Sequence, residues 1–264
     1  MSMVASDLSL GRDFRVGNAL NRAVQLFFSA HFPKFCAISA IAFAPLLITS
    51  IASGLPPNAA DAADLERLEI FQAQLVHYGI WQGVGGLLLV LLSPIATAMS
   101  LYGAYQAMRG QPFTIGESFR AGWARFGSVL GATFMAGIIT LFFLLLLFVP
   151  GIMAVCAMYV ALPACVVERL GPIKCLRRSR ELTKGVRWRI FGLILVVTLV
   201  GGTMGGMAGG AVAASKSQVA AGIVSFIANV ISNAFAAVLS AVAYRDLRVA
   251  KEGIDIESLA KVFD

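Results

Sequence analysis

Residues 171–192, GPIKCLRRSRELTKGVRWRIFG, set seven lysines and arginines against one glutamate and run straight into the uncharged stretch LILVVTLVGGTMGG. Side chains of this kind hold phosphate, arginine as a planar fork and lysine as a mobile point charge. Two polyanions fit such a block: a nucleic acid and an anionic membrane surface. The rest of the chain offers little other chemistry. Cys36, Cys156, Cys165 and Cys175 form no CxxC pair, and His31 and His77 are the only histidines. No HExxH, GxSxG or lysine-bearing phosphate loop occurs. The sequence therefore calls for no catalytic residue, metal ligand or cofactor-binding residue, and the cysteines are expected as small buried side chains on a reducing side.

The elements that must position the basic block are set by composition. Hydrophobic residues make up 58% of the chain, charged ones 13%, and mean hydropathy is +0.81, far from a soluble domain with about a quarter of its residues charged. The charges are also segregated. Charge-free runs cover 35–55, 75–108, 127–167, 190–215 and 217–244. A hydrocarbon core of about 30 Å needs about 20 helical residues, so the runs predict spans at 35–53, 79–105, 127–149, 152–167, 190–213 and 219–243. The 127–167 run is divided in two because Val149, Pro150 and Gly151 suit a turn. One crossing there would also place the basic block opposite Arg120 and Arg125.

Orientation follows from lysine and arginine counts. The N-terminal segment holds four, 106–126 three, 168–189 eight, and the segment after 244 four, which puts nineteen on one side. Only Arg67 and Lys216 fall on the other. The positive-inside rule then predicts two cytoplasmic termini, an acidic external (periplasmic) loop at 54–77 and a cytoplasmic tail at 244–264. The first apolar run starts too far from the N-terminus for a cleaved signal, so the first helix is expected to be retained. The expectation is one membrane domain over 1–264, all-α, with six transmembrane helices.

Three amphipathic segments precede these spans, at 12–33, 112–126 and 172–189. In the first, Val16, Ala19, Leu20, Ala23, Val24 and Phe27 repeat at helical spacing. In the second, Pro112, Ile115, Gly116, Phe119, Trp123 and Phe126 do so, behind a Thr114/Glu117 capping-box pair. In the third the stripe is Cys175, Leu176, Ser179, Leu182, Thr183 and Val186. The chain thus reads as three units, each an interfacial cytoplasmic helix followed by a transmembrane hairpin. A connector of this length, tethered to the bilayer at both ends, has no freedom to wrap a duplex. Lys174, Arg177, Arg178, Arg180, Lys184, Arg187 and Arg189 are therefore expected on anionic lipid headgroups, with no nucleic-acid partner.

No Asp, Glu, Lys, Arg or His lies within the predicted spans, which argues against a proton relay, a voltage sensor or a carboxylate ion site. Helix five of this reading carries two small-residue stripes, Gly201, Gly205, Gly209 and Gly202, Gly206, Gly210, expected to pack against another helix or a second copy of the chain. Helix six carries Ser225, Asn229, Ser232, Asn233 and Ser240, a polar stripe suited to interhelical hydrogen bonds or to a polar path. Pro45, Pro94 and Pro163 fall within spans and each frees a carbonyl.

Two stretches carry a family resemblance. Glu168, Gly171, Pro172, Leu176, Arg178, Ser179, Leu182, Thr183, Lys184, Gly185, Trp188 and Phe191 resemble the cytoplasmic signature of bacterial proteins grouped with the membrane domain of glycerophosphoryl diester phosphodiesterases, the YciC-like inner-membrane proteins. Tyr244, Asp246, Leu247, Arg248, Lys251, Glu252, Gly253 and Asp255 are similar to that family's ending. The resemblance implies a six-helix bacterial inner-membrane domain without the soluble catalytic domain, so hydrolysis does not transfer. The expected function is a non-enzymatic scaffold in envelope or membrane homeostasis, binding anionic lipid, a second copy or another membrane protein. The alternative is a small carrier or channel for an uncharged or amphiphilic solute. A filled bundle would favour the first, a continuous polar cavity the second.

Overall fold

The computed structural model describes residues 14–29, 31–53, 68–215 and 218–252, and every regular element among them is an α-helix. In chain order these are α1 Val16–Phe27, α2 Phe32–Ala52, α3 Leu68–Met108, α4 Ile115–Ala124, α5 Phe126–Leu146, α6 Phe148–Met158, α7 Ala161–Val167, α8 Pro172–Thr183, α9 Arg187–Ser215 and α10 Gln218–Glu252. Five helical stretches are long and apolar enough to cross a membrane. A sixth arises if α8 and α9, bent by 106° relative to one another, are taken together.

Several boundaries differ from the sequence reading for identifiable reasons. The break between α5 and α6 falls at Leu147, whose backbone is extended, while Val149, Pro150 and Gly151 form the first turn of α6. Proline is accommodated there because the first helical N–H groups need no intrahelical acceptor. Pro163 likewise sits in the first turn of α7, after a turn at Tyr159–Val160 that divides the fourth span. The last ten residues of the expected 54–77 loop belong to α3, and the expected tail at 244–264 begins as the last turns of α10. Residues 54–67 and 253–264 lie outside the described residues.

Helix α2 packs on α3, α5 on α6 and α9 on α10, and α10 also meets α1, α2, α3, α7 and α8. At one end Lys34 Nζ donates to Phe113 O at 2.9 Å and Arg22 pairs with Asp246 at 3.0 Å. At the other, Gly85 faces Thr49, Gly222 faces Ser50, and His77 Nε2 lies 3.1 Å from Ala52 O. Burial concentrates toward the first end, which holds Ile38, Leu101, Val167, Leu182, Tyr244 and Leu247. It is called the charged end below.

The three amphipathic helices do not use their stripes alike. Helix α1 turns Ala19, Ala23 and Phe27 into the protein, and α8 turns Cys175, Leu176, Ser179, Leu182 and Thr183 inward. Helix α4 instead buries Ser118 and Gly122, the latter against Met99 and Ile95 O, and leaves Ile115, Phe119 and Trp123 outside. Trp123 stacks between Phe119 and Phe126, with ring centroids 5.9 and 5.6 Å apart. Its start is fixed by the anticipated capping box: Glu117 N donates to Thr114 Oγ1, and Thr114 N to the Glu117 carboxylate.

Of the two partners expected for the helix-five glycines, another helix or a second copy of the chain, the first is not met at the positions described. A Cβ added at Gly201, Gly202, Gly205, Gly206 or Gly210 meets nothing within 4 Å; the surroundings of Gly209 lie outside the described residues. The glycines that permit close approach are elsewhere. At Gly151 an added Cβ would stand 2.7 Å from Leu144 Cα, and at Gly131 2.9 Å from Pro172 Cγ. The polar stripe of α10 also differs: Asn229 Nδ2 donates to Ser225 O and Ser240 Oγ to Ala237 O, both within the helix. Ser225 and Asn229 are exposed, Ser232 and Asn233 half-buried and Ser240 buried, so no continuous inner polar face forms from these five residues.

Replacing Gly151 by leucine is expected to force α5 and α6 apart at backbone level, a cost of about 1–3 kcal/mol from overpacking, and to lower the melting temperature in detergent. Gly206→Leu is expected to leave the melting temperature of the monomer unchanged. Equal losses at the two positions would show that the α9 glycines are packed as tightly as the α5–α6 contact.

Candidate functional site

The two stretches singled out by sequence meet at the charged end. Tyr244, Arg248 and Glu252 recur every four residues and so share one face of α10. That face meets Glu168, which follows α7, and Arg178, in the middle of α8. Arg178 Nε donates to both Glu168 oxygens, at 2.8 and 3.0 Å, and Tyr244 OH donates to Glu168 Oε1 at 2.5 Å. Arg178 Nη2 also pairs with Glu252, which in turn accepts from Arg248 Nε at 3.0 Å. Arg248 Nε lies 3.9 Å from Glu168, and its guanidinium sits over the Tyr244 ring. Two carboxylates and two guanidiniums thus alternate with no net charge, each side chain less than a quarter exposed.

Burial works against the Arg178 charge, but hydrogen bonds and charges from Glu168 and then Glu252 outweigh it and hold its guanidinium above the ordinary arginine range. Deleting one member would leave its partner poorly solvated and uncompensated. The arrangement therefore acts as a clamp. It joins the end of α7, the middle of α8 and the end of α10 through charge-assisted bonds.

Two further contacts fix α8 from below and behind. The interruption of the fourth span frees carbonyls at the end of α6, and Ser179 Oγ donates to Ala157 O at 2.7 Å while Thr183 Oγ1 bonds Ser179 O at 2.8 Å. Lys251 Nζ donates to Glu181 O and Lys184 O, at 2.7 and 2.6 Å, setting a cation on the carbonyl end of the α8 dipole. Gly185, with φ 87°, takes a left-handed conformation that lets the chain turn sharply from α8 into α9. Cys165 and Cys175, expected as separate thiols, are joined as a disulfide between α7 and α8. The short return through 168–171 brings their Cα atoms to 5.2 Å, within disulfide reach. Cys36 and Cys156 are free.

The seven expected headgroup residues consequently divide. Arg178 is removed into the clamp, Arg189 donates to Phe14 O at 2.8 Å, and Arg187 is half-buried with a buried Nε. Lys174, Arg177, Arg180 and Lys184 are exposed, Arg177 with a solvent-facing pair to Glu181 at 3.2 Å. Arg177, Arg180 and Lys184 follow Ile173 at spacings of four, three and four residues and form one outward stripe.

A groove of about 440 Å³ lies outside the bundle between α5 and α6, lined by Ala136, Gly137, Thr140, Leu141, Leu144, Val155, Met158 and Tyr159. At its near end Met158 and Leu176 form a small apolar cluster against Met135, Ala136 and Ile139.

Residues 74–247 match a family described as a domain of unknown function, DUF7847. The chain belongs to the DUF7847 family. The matched region runs from α3 into α10 and contains Glu168, Arg178 and Tyr244, leaving Arg248 and Glu252 just beyond it. No curated protein and no solved structure matches the chain.

The sequence placed Glu168, Tyr244, Arg248 and Glu252 only within resembling stretches and gave them no role. Two signals were present: the four-residue spacing on α10, and the isolation of Glu168 as the one acid between Glu117 and Glu181. Arg178→Gln is expected to cost about 2 kcal/mol, lowering the melting temperature in detergent by several degrees, while Arg180→Gln, two residues on and exposed, leaves it within a degree. Indistinguishable melting curves would show that the clamp contributes nothing to the fold.

Proposed function

We propose that this chain is a non-enzymatic bacterial inner-membrane scaffold with cytoplasmic termini, acting in envelope or membrane homeostasis by binding anionic lipid, a second copy or a membrane partner. In this reading it is six spans arranged as three units, each an interfacial helix followed by a hairpin, consistent with the resemblance to the membrane domain of the phosphodiesterase group. The observation that carries it is the sorting of charge on α8. Arg178 turns inward and is neutralised, while Lys174, Arg177, Arg180 and Lys184 face outward from a helix bound to an apolar bundle. Each cation near an anionic surface is worth up to about 1 kcal/mol, less than additively.

The groove between α5 and α6 bears on the carrier alternative. It opens on the outside of the bundle and its lining is almost wholly apolar, a shape that suits an acyl chain better than a path for a polar solute.

The test is the lipid retained by the purified chain. After mild detergent extraction, quantitative lipid analysis is expected to find phosphatidylglycerol and cardiolipin enriched several-fold over their share of the membrane. Recovery in bulk proportions would remove the lipid-binding reading.

A further inference from the structure

Helix α8 packs at one end of the groove between α5 and α6, and the contacts between these helices fix how they are aligned. Gly131 of α5 meets Pro172 at the start of α8, and Leu176 packs with Met158 beside Met135, Ala136 and Ile139. Ala136 and Met158 also line the groove. Leu176 therefore packs at its near end, and Arg180, four residues on, stands one turn along α8 where the inward stripe borders the outward one. Helix α8 thus flanks α5 roughly 7 to 20 Å along its axis from Phe126, at 1.5 Å per residue. The groove continues from there to Leu144, about 12 Å of apolar wall from Ala136.

We infer that this is a binding site for one anionic glycerophospholipid, with its phosphate on Arg180 and Arg177 and one acyl chain in the α5–α6 groove. The inference rests on the lipid-binding reading above and gives it a location. Charge complementarity selects the occupant. An apolar slot headed by guanidiniums matches a molecule with a phosphate at one end and hydrocarbon at the other. A free phosphate would leave the slot unused, and an apolar peptide would leave the cations unneutralised. Lys184 extends the stripe toward the α8–α9 turn and adds attraction at longer range. Ile173 is exposed on the same stripe. Arg178 takes no part, because its guanidinium is committed to Glu168 and Glu252.

The two halves of the site are separable by substitution. An added Cβ at Gly137 meets nothing within 4 Å, so Gly137→Leu is expected to fill the groove without disturbing the helices. Arg177→Gln with Arg180→Gln removes the phosphate contacts from an exposed face. Native mass spectrometry of the full-length protein would count bound dioleoyl-phosphatidylglycerol and dioleoyl-phosphatidylcholine across a concentration series, with glycerol 3-phosphate as competitor. Melting curves would check that each variant stays folded. Wild type is expected to prefer phosphatidylglycerol. The arginine pair should weaken that lipid by about tenfold, to the level of phosphatidylcholine, and Gly137→Leu should weaken it comparably. Glycerol 3-phosphate at millimolar concentration should displace little.

A wild type without preference would overturn both this site and the broader lipid reading. Preference kept in both folded variants would overturn the site alone. Loss with the arginine pair but not with Gly137→Leu would reduce the site to a charged surface and overturn the acyl-chain half. Full displacement by glycerol 3-phosphate would do the same.

Discussion

A carboxylate held between helix ends at the margin of an apolar bundle must be neutralised where it stands, and Glu168 meets that condition through Arg178 and Tyr244. In a bilayer, apolar faces gain little from leaving lipid for protein, so association of helices depends on close packing and on polar bonds that lipid cannot replace. Here the bonds gather at one end. The clamp links α7, α8 and α10, Arg22–Asp246 holds α1 to α10, and Lys34 to Phe113 O holds α2 to the segment before α4. Burial follows the same distribution, deep around Tyr244 and Leu247 and shallow where α9 carries its glycines.

That constraint also explains the form of α8. A helix with this much positive charge would not sit against α5, α6 and α7 on its apolar stripe alone. It is held by Ser179 on the free carbonyl of Ala157, by Lys251 on its C-terminal carbonyls, by the Cys165–Cys175 bridge and by Arg178 in the clamp. With those four attachments made, Arg177, Arg180 and Lys184 stay on the exposed side of the helix, Arg177 paired only with Glu181 one turn on.

Much of this was legible in the chain. The charge-free runs place every long apolar helix, because hydropathy is a direct record of the solvent each segment meets, but α3 starts eleven residues before its expected span and α10 ends nine beyond. The Thr114/Glu117 cap is a local pattern and forms as expected, while of the α1 stripe Ala19, Ala23 and Phe27 are buried and Val24 is exposed. What sequence could not supply was pairing across distance. Arg178 looks no different from Arg177 and Arg180 until α10 brings Glu252 and Tyr244 to it. The glycines of α9 satisfy every local rule for a packing face, yet close approach occurs at Gly151 and Gly85, which belong to no repeat. Pro163 reads as a kink in a continuous helix, whereas the chain has already broken at Tyr159–Val160 and the proline opens a new one.

The central claim is that Glu168 and Arg178 act as one unit in holding the charged end together. Its most direct test is a double-mutant cycle on Glu168→Gln, Arg178→Gln and the pair, read by reversible unfolding of the purified protein in mixed micelles. A clamp of this geometry predicts that the second substitution costs much less once the first is made, a coupling of about 1–3 kcal/mol. Additive losses, with coupling indistinguishable from zero, would contradict it.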